Sequence, residues 1–339
     1  MLRVLVVGHG LIGKQRAAAA FALSKAGKCT LAGTVDPAPR AADLYGPAPH
    51  YARFEDVPAS SYDAAVIAVP HHLASGIALA VLGQKKPILI EKPLGLNAKE
   101  GRRLAQAGEG AGTPSFVGYN YRFLPTFRET TARIARGELG KLRSIDMLLG
   151  HGGHPNSAQG WKLSPAEAGG GVLLDPGVHL FDLLLCLEPA LGLRHVSATR
   201  GFWKTGIEED TVTVMGHGDL IATVRVSHVR WVNTFRIEVN GDDGYAHIEG
   251  RGGSYGPQRV RIGRRWGWND GTGRTQRETE DATDFGPANV SLDRELEVVV
   301  GLWSGQTASF ADGPGPATLA DGLRIAELCD EMYASLAKG

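Results

Sequence analysis

Two short segments of the sequence carry side chains that can move a proton or stabilise developing charge. The first is Glu91-Lys92-Pro93, which directly follows the apolar run 88–90. Ligands of open α/β sheets bind beyond the carboxyl ends of the strands, so Lys92 is placed to hydrogen-bond a reacting oxygen. Pro93 restricts the Lys92 backbone to extended conformations. An exposed loop lysine is the alternative, and position alone does not decide between the two.

The second segment, 169–182, is glycine-rich and then leucine-rich. It contains Asp175, His179 and Asp182, spaced by four and by three residues. In a helix these three side chains share one face, and Pro176 suits a first helical turn. His179 is then expected to act as a general base near neutral pH, oriented and raised in pKa by Asp175. The alternative is a buried histidine paired with a structural aspartate, which is the commoner situation for an isolated histidine.

A glycine-rich turn, Gly8-His9-Gly10-Leu11-Ile12-Gly13, joins an apolar strand at 2–7 to an alanine-rich helix at 11–26. Such glycines let backbone N–H groups approach a pyrophosphate, whose negative charge is favoured at the helix N-terminus. An acid, Asp36, ends the next strand at 30–35. The motif in this context predicts a dinucleotide site formed by Gly8, Gly10, Leu11, Ile12, Gly13 and Asp36.

Asp36 also bears on the choice of cofactor. A carboxylate at this position accepts hydrogen bonds from the adenosine ribose and repels a 2′-phosphate, so it favours NAD. Arg40 lies four residues further on and could instead pair with a 2′-phosphate, which keeps NADP possible. We favour the interpretation of Arg40 as a solvated loop charge.

The order of the predicted elements positions these residues. Strands alternate with helices up to residue 122, which predicts an α/β Rossmann domain with a doubly wound parallel sheet over 1–122. Residues 123–339 then contain consecutive strands with short turns, followed by two helices near 289–304 and 318–337. This second part is predicted to be an α+β domain with a large, mainly antiparallel, open sheet that binds substrate and forms oligomer contacts.

Composition is that of an ordinary globular protein and gives no argument for several special classes. The chain has 339 residues, which favours two domains, and its 36 Lys and Arg residues balance 36 Asp and Glu residues. Zero net charge gives no argument for a nucleic-acid partner or an anionic membrane. Three distant cysteines suggest neither disulfides nor a metal site. The N-terminus enters a strand directly and the apolar stretches are short, so a cytoplasmic protein without a leader or a membrane span is expected.

Five motifs together resemble the Gfo/Idh/MocA oxidoreductases, which include glucose-fructose oxidoreductase and inositol dehydrogenases. They are GHGLIG at 8–13, AVPHHL at 68–73, EKPLG at 91–95, GYNYRF at 118–123 and GGGVLLDPGVH at 169–179. With the late antiparallel sheet, the resemblance covers essentially the whole chain. It implies an NAD(P)-dependent dehydrogenase that acts on a ring hydroxyl of a sugar, a sugar derivative or a cyclitol.

The resemblance also implies residue roles. Lys92, Asp175 and His179 look like the family's catalytic trio: His179 as proton acceptor or donor, Lys92 as polarising group and proton relay, and Asp175 as their electrostatic partner. Further residues on the cofactor side are Val69, Pro70, His72, Glu91 and Lys92. On the substrate side the resemblance implies Tyr119, Asn120, Arg122, Trp161, Asp175 and His179.

Two features within this resemblance stay open. Trp161 follows a glycine-rich and polar loop, and it either stacks on a sugar ring or packs in the core. The loop that contains Arg264, Arg265, Trp266, Trp268 and Arg274 matches no family motif and is either a lid, an oligomer contact or a solvated loop.

Other functions remain to be separated by experiment. A non-catalytic nucleotide or sugar sensor of the same fold would be expected to lose the Lys–Asp–His trio, which this sequence keeps. An NAD-dependent glycosidase that uses transient ring oxidation would need similar residues. A homodimer or homotetramer is expected, because the half-exposed sheet would otherwise leave apolar side chains in water.

Overall fold

The computed structural model describes residues 1–41, 43–153, 160–265, 280–310 and 313–338. Within this part of the chain the strands form two sheets. The first holds the glycine turn and Lys92 at the carboxyl ends of its strands, and the second lies beside it.

The first sheet is parallel over its six N-terminal strands, as the alternating pattern predicts. Continuous apolar runs form its centre because these strands are buried on both faces. The short third strand has only two residues and no sequence pattern predicted it. The six strands are β1 (Arg3–Val7), β2 (Thr30–Val35), β3 (His50–Tyr51), β4 (Ala64–Ile67), β5 (Ile88–Glu91) and β6 (Phe116–Gly118).

Three helices connect these strands: α1 (Leu11–Lys25), α2 (His71–Gly83) and α3 (Ala98–Ala111). The third begins where the Asn97 side chain accepts a hydrogen bond from the N–H of Glu100. It ends at Gly112, which has the left-handed backbone that favours glycine. The first helix begins at Leu11, inside the glycine turn, without a side-chain cap.

The second sheet is mainly antiparallel, as predicted, with one parallel pairing between its first and fourth strands. Alternating burial leaves one face of these strands towards the core and the other towards solvent. Its strands are β7 (Leu142–Gly150), β8 (Gly192–Thr199), β9 (Asp210–His217), β10 (Leu220–Ser227), β11 (Thr234–Gly241), β12 (Gly244–Glu249), β13 (Arg259–Arg264) and β14 (Glu280–Asp284), in the order β14-β13-β12-β11-β7-β10-β9-β8.

The remaining elements tie the two sheets together. Strand β15 pairs antiparallel with β6 and completes the order β15-β6-β5-β4-β1-β2-β3. The C-terminal region therefore adds a strand to the first sheet. The predicted segment 1–122 thus does not contain the whole of that sheet. These elements are α4 (Pro125–Ala135), α5 (Pro165–Ala168), α6 (Val178–Leu187), α7 (Ser291–Trp303), β15 (Ala317–Thr318) and α8 (Leu319–Leu336).

One segment departs from the expectation that all apolar stretches are short. Pro165–Leu187 is long and apolar enough to cross a membrane by length and composition, but 78% of its apolar window is buried inside the protein. It contains α6, whose first eight residues are all buried. The segment is therefore a core element of the fold.

Candidate active site

The glycine turn brings the start of α1 against the end of β4. Gly8 has a φ of +96°, and a Cβ there would lie 2.2 Å from the carbonyl oxygen of Ala68. A Cβ at Gly13 would lie 2.1 Å from the carbonyl oxygen of Gly8. Gly10, by contrast, faces open space, beside the exposed side chain of Leu11. The uncapped N–H groups of the first helical turn are thus accessible to an anion, which fits a pyrophosphate.

Asp36 is held at the end of β2 by two backbone donors. Its Oδ2 accepts a hydrogen bond from the His9 N–H at 2.7 Å, and its Oδ1 accepts one from the Ala38 N–H at 2.9 Å. Each carboxylate oxygen has a second lone pair, so the group can still accept hydrogen bonds from ribose hydroxyls. The position fits an adenosine ribose.

Arg40 is not the solvated loop charge that we favoured from the sequence. Its guanidinium donates to the carbonyl oxygen of Ala48 and lies 5.1 Å from the ring centroid of Tyr45. The side chain is partly buried rather than solvated, and it is not among the residues that line the cavity beside Asp36. Tyr45 also bonds the ring of His9, at 3.1 Å. Arg40 therefore packs on the underside of the glycine turn.

One cavity, of about 540 Å³, runs from the glycine turn to Lys92. It combines residues from the carboxyl ends of β1, β2, β4 and β5, as expected for a ligand site in an open α/β sheet. Its lining includes Gly8, Gly10, Leu11, Ile12, Asp36, Val69, Pro70, His71, Glu91, Lys92, Trp161 and Lys162. Most of the predicted cofactor residues thus line this cavity, and Gly13 packs against the backbone of Gly8.

His72 is an exception to this agreement. It points to Glu167, with 3.8 Å between the ring Nε2 and the carboxylate, and it is not among the lining residues. The neighbouring His71 faces the cavity instead, and its Nδ1 lies 3.0 Å from the carbonyl oxygen of Ala168. His71 is the first residue of α2, so the direction of its side chain depends on where α2 starts. The motif AVPHHL does not specify that start.

Glu91 is held by a buried arginine. Arg16 of α1 donates from Nε to Glu91 Oε1 at 2.7 Å, and its Nη2 lies 2.5 Å from Glu295 Oε2. The Arg16 and Glu295 side chains are fully buried, and burial raises the pKa of Glu295 to about 7. This link joins α1, β5 and α7 beneath the cavity. Its partners are far apart in the chain, so no local sequence pattern predicts it.

Two lysines form ion pairs with Asp175. Lys92 Nζ bonds Oδ1, and Lys162 Nζ lies 2.7 Å from Oδ2. Burial, the largest influence, would raise the pKa of the Asp175 carboxyl, but the two ammonium groups hold it well below its usual range. Lys162 was missed by the sequence analysis, although it directly follows Trp161. The pair of lysines makes the site more positive than the predicted trio alone.

The predicted helical face of Asp175, His179 and Asp182 is wrong. Asp175 has an extended backbone, with φ −146° and ψ 106°, and α6 begins only at Val178. Pro176 therefore does not occupy the first turn of that helix. Asp182 forms a buried ion pair with Arg122, at 2.6 Å, away from Asp175.

His179 lies flat on a tyrosine. Its ring centroid is 3.9 Å from that of Tyr121, and the planes differ by 7°. Burial and then the charge of Lys92 lower the pKa of His179 well below its usual range, although Asp175 opposes this. The expectation of a raised pKa is therefore wrong. Among the described residues no hydrogen bond joins His179 to Asp175, and its buried Nδ1 has no partner there.

The predicted substrate residues near β6 divide into two groups. Tyr119 meets His179 edge to face at 6.0 Å between centroids, and it is 1% exposed. Asn120 donates from Nδ2 to Ser291 Oγ at 2.7 Å. Arg122 is occupied by Asp182, so its guanidinium serves the packing of α6 rather than a substrate contact. Tyr121, which the sequence analysis did not select, is the residue that contacts His179 face to face.

Two further imidazoles lie near this centre. The rings of His151 and His228 are 4.4 Å apart between centroids. Burial lowers the pKa of His228 to about 4 and also lowers that of His151, while the charge of Asp175 raises both.

Trp161 meets His71 edge to face, with 4.6 Å between centroids. It lines the cavity, so core packing alone does not describe it.

The triple glycine before Asp175 is required by close packing. A Cβ at Gly170 would lie 1.9 Å from the hydroxyl of Tyr333, and one at Gly171 would lie 2.1 Å from the carbonyl oxygen of Glu208. The buried Glu208 carboxylate accepts hydrogen bonds from the N–H of Gly171 at 2.8 Å and from that of Leu173 at 3.1 Å. Glu208 thus fixes the segment that carries Asp175.

The unmatched arginine and tryptophan loop is described only at its start. Arg264 ends β13, and Arg265 donates its N–H to the carbonyl oxygen of Asp243 at 2.8 Å. Trp266, Trp268 and Arg274 lie outside the described residues.

Comparison with known proteins identifies the family. Residues 2–119 match the family model described as "Oxidoreductase family, NAD-binding Rossmann fold", and residues 127–247 match the GFO/IDH/MocA C-terminal domain. Inositol 2-dehydrogenase 4 of Saccharopolyspora erythraea is 27% identical over 100% of this chain and 94% of that protein. 1,5-Anhydro-D-fructose reductase of Ensifer adhaerens is 32% identical over 43% of this chain and 44% of its own length. The matched region of that reductase is therefore less than half of the protein.

Solved structures share the fold at low identity. Levoglucosan dehydrogenase in complex with NADH superposes with a TM-score of 0.83 at 18% identity, covering 99% of this chain and 97% of that one. An oxidoreductase from Agrobacterium radiobacter in complex with NAD⁺, L-tartaric acid and magnesium gives 0.80 at 17% identity, covering 100% and 97%. Both family models, the motifs and the two-sheet fold agree. The chain belongs to the Gfo/Idh/MocA oxidoreductase family and has its NAD-binding Rossmann fold.

Proposed function

We propose that this chain is an NAD-dependent dehydrogenase that exchanges a hydride between nicotinamide and a hydroxyl-bearing ring carbon of a sugar, sugar derivative or cyclitol. One observation carries the proposal: a single cavity joins the glycine turn and Asp36 at one end to Lys92 at the other. A dinucleotide with its pyrophosphate at the turn and its ribose at Asp36 would direct its nicotinamide towards Lys92. Relatives named inositol dehydrogenase and levoglucosan dehydrogenase support the substrate class.

The bound nicotinamide supplies the hydride acceptor, and the chain's own residues manage the proton. When hydride leaves the carbinol carbon with its two electrons, the hydroxyl proton must also depart to give a ketone. His179 can take that proton because its lowered pKa keeps the imidazole neutral at neutral pH. Lys92 donates a hydrogen bond to the same oxygen and stabilises its developing charge.

Asp175 acts in this scheme as a fixed negative charge. Its carboxylate holds Lys92 and Lys162 rather than orienting the imidazole of His179. Tyr121 takes over the orienting role by stacking on the ring of His179. Trp161, at the cavity wall, offers an aromatic face for the apolar side of a sugar ring.

Assembly and location belong to the same proposal. We infer a homodimer or homotetramer in the cytoplasm. The solvent face of the second sheet combines the exposed side chains of Val212 and Ile221 with ion pairs such as Arg225–Asp210. It is therefore more polar than the sequence argument assumed. The three cysteines are free, in keeping with a reducing compartment.

A panel assay tests the proposal. Cyclitols, sugars, sugar acids and sugar phosphates are incubated with NAD or NADP, and NADH or NADPH absorbance is followed together with product analysis. A ketone formed with net NADH supports the dehydrogenase. Glycoside hydrolysis without net NADH would identify a glycosidase, and binding without turnover of any substrate would identify a sensor.

A further inference from the structure

An arginine without an acidic partner among the described residues lies beside the His179–Tyr121 stack. The guanidinium carbon of Arg251 is 5.2 Å from the ring centroid of Tyr121 and 3.8 Å from that of Tyr255. Among the described residues no carboxylate pairs with Arg251, and its buried Nε has no hydrogen-bond partner. An unpaired guanidinium that is partly withdrawn from water lowers the stability of the protein unless a ligand supplies the missing hydrogen-bond acceptors.

The loop that carries Arg251 holds it in place. Gly250 and Gly252 flank it, both with positive φ, and their N–H groups bond the carbonyl oxygens of Phe235 at 3.0 Å and Gly256 at 2.9 Å. A Cβ at Gly250 would lie 2.1 Å from the carbonyl oxygen of Pro257. The backbone is therefore tightly constrained on both sides, and the guanidinium is preorganised between its two tyrosines.

The charge of Arg251 reaches the reacting centre. It contributes to lowering the pKa of His179 and of His151, after larger contributions from burial. Lys92 and Lys162 share the single carboxylate of Asp175, so the centre already carries an excess of positive charge. The histidines around it have lowered pKa values and add no charge at neutral pH. The site as a whole thus favours an anionic ligand.

We propose that Arg251 binds a carboxylate of the substrate, so that the physiological substrate is a sugar acid or a carboxylated cyclitol rather than a neutral sugar. This inference rests on the proposed dehydrogenase function and narrows its substrate. Of the guanidinium nitrogens of Arg251, only Nε is buried without a partner among the described residues, so the two Nη atoms are open to a ligand, and this planar edge matches a carboxylate in a bidentate geometry. Arg251 and His179 both lie against the ring of Tyr121, at 5.2 Å and 3.9 Å from its centroid, so the distance between them is within the length of one sugar-sized substrate.

The test compares matched ligands. D-Glucuronate and D-galacturonate are measured against D-glucose and D-galactose, with the two 6-phosphates as a third arm, in wild type, Arg251→Gln and Arg251→Lys. Arg259→Gln is the control, because Arg259 lies on β13 and pairs on the surface with Asp284 at 2.8 Å. Both turnover with NAD and the rise in melting temperature of the NADH complex on adding each ligand are recorded.

The wild type is expected to prefer the uronates in both measurements. Arg251→Gln should lower kcat/KM for uronates by roughly 10- to 100-fold, mainly through KM, and change it by less than about 3-fold for the neutral sugars. Arg251→Lys should recover only part of the loss, since an ammonium lacks the planar fork. Arg259→Gln should behave as wild type.

Three results would overturn the inference. The first is a wild-type preference for neutral sugars, and the second is a preference for the 6-phosphates. The third is an equal loss for acids and neutral sugars in Arg251→Gln, which would make Arg251 a structural support of Tyr121. If no compound is oxidised, the dehydrogenase proposal fails. The melting-temperature measurement then still decides whether Arg251 binds a carboxylate.

Discussion

The imidazole of His179 lies parallel to the phenol ring of Tyr121, with 3.9 Å between the centroids. Because His179 has no hydrogen-bonded orienting partner on Nδ1 among the described residues, this stack is the contact that fixes its ring plane. Burial raises the pKa of Tyr121 to about 12, so its hydroxyl stays protonated at neutral pH. The ring face is the part of Tyr121 that contacts His179.

We expect Tyr121→Phe to keep kcat within about 3-fold of wild type, because the stacked ring remains. Tyr121→Leu should lower kcat by roughly 10-fold, since aromatic pairs contribute about 1 kcal/mol beyond area burial and hold the base in position. Steady-state kinetics and the dissociation constant of NADH are measured for both variants. Similar kcat values for the Phe and Leu variants would show that the stack does not orient His179.

The stack also shows what sequence patterns can predict. The alternation of strands and helices predicted the parallel sheet, and the consecutive strands with short turns predicted the antiparallel one, because each pattern reflects how neighbouring strands are connected. GYNYRF marked the right segment but not which tyrosine stacks face to face on His179. That choice depends on the short turn after β6, which directs Tyr121 and Tyr119 to different sides of the imidazole.

Partners distant in sequence were the hardest to predict. Lys162 forms an ion pair with Asp175, and Glu208 accepts a hydrogen bond from Gly171. These contacts form between loops whose sequences have no periodic pattern, so no local signal predicts them. The helical face assigned to Asp175 and His179 failed because Asp175 is extended and α6 begins three residues later. Spacing alone cannot reveal where a helix starts when a proline lies inside the motif.

Lys92→Ala is expected to remove most turnover, by about 100-fold or more, while the NADH dissociation constant changes by less than about 3-fold. The reason is that Lys92 lies at the far end of the cavity from the glycine turn and Asp36, which hold the pyrophosphate and ribose in our proposal. Kinetics and NADH fluorescence titration measure the two effects. An unchanged melting curve is the control for folding, and near-normal kcat would contradict the assigned role.

Asp36→Ser should weaken the preference for NAD over NADP by roughly 10-fold or more. The wild-type carboxylate is fixed by the N–H groups of His9 and Ala38, so it cannot turn away from a 2′-phosphate. Arg40 does not compensate, because its guanidinium packs against Tyr45. Kinetics with both cofactors decide the matter. A wild-type enzyme that already favours NADP would refute the argument from Asp36.

Glu208→Gln should lower the free energy of unfolding by about 1–3 kcal/mol and also reduce kcat. A Gln side chain keeps one acceptor oxygen, but it loses the charge that strengthens the bonds from Gly171 and Leu173. Tyr333→Phe removes only the third donor, which lies 2.8 Å from the same oxygen, and should have a smaller effect. Denaturant unfolding and kcat are compared for the two variants. A larger effect in Tyr333→Phe would contradict the proposed role of Glu208.

The pH dependence of sugar oxidation tests the role of His179. A base must be neutral to accept the hydroxyl proton, and burial together with Lys92 lowers the pKa of His179 well below its usual range. A positively charged nicotinamide nearby lowers it further. The active, neutral form therefore persists as the pH falls below the usual histidine range of about 6.5. We expect kcat to stay level through neutrality and to fall only in acid.

His179→Ala and Lys92→Arg separate this assignment from its rival. If His179 is the base, His179→Ala lowers kcat by about 100-fold or more and removes the acid limb of the profile. Lys92→Arg keeps a cation beside Asp175 and should then leave the position of that limb nearly unchanged. If Lys92 is the titrating base, His179→Ala raises KM but preserves the profile, whereas Lys92→Arg abolishes the ionisation. Profiles of kcat against pH for wild type and both variants, in saturating NAD, distinguish the two outcomes.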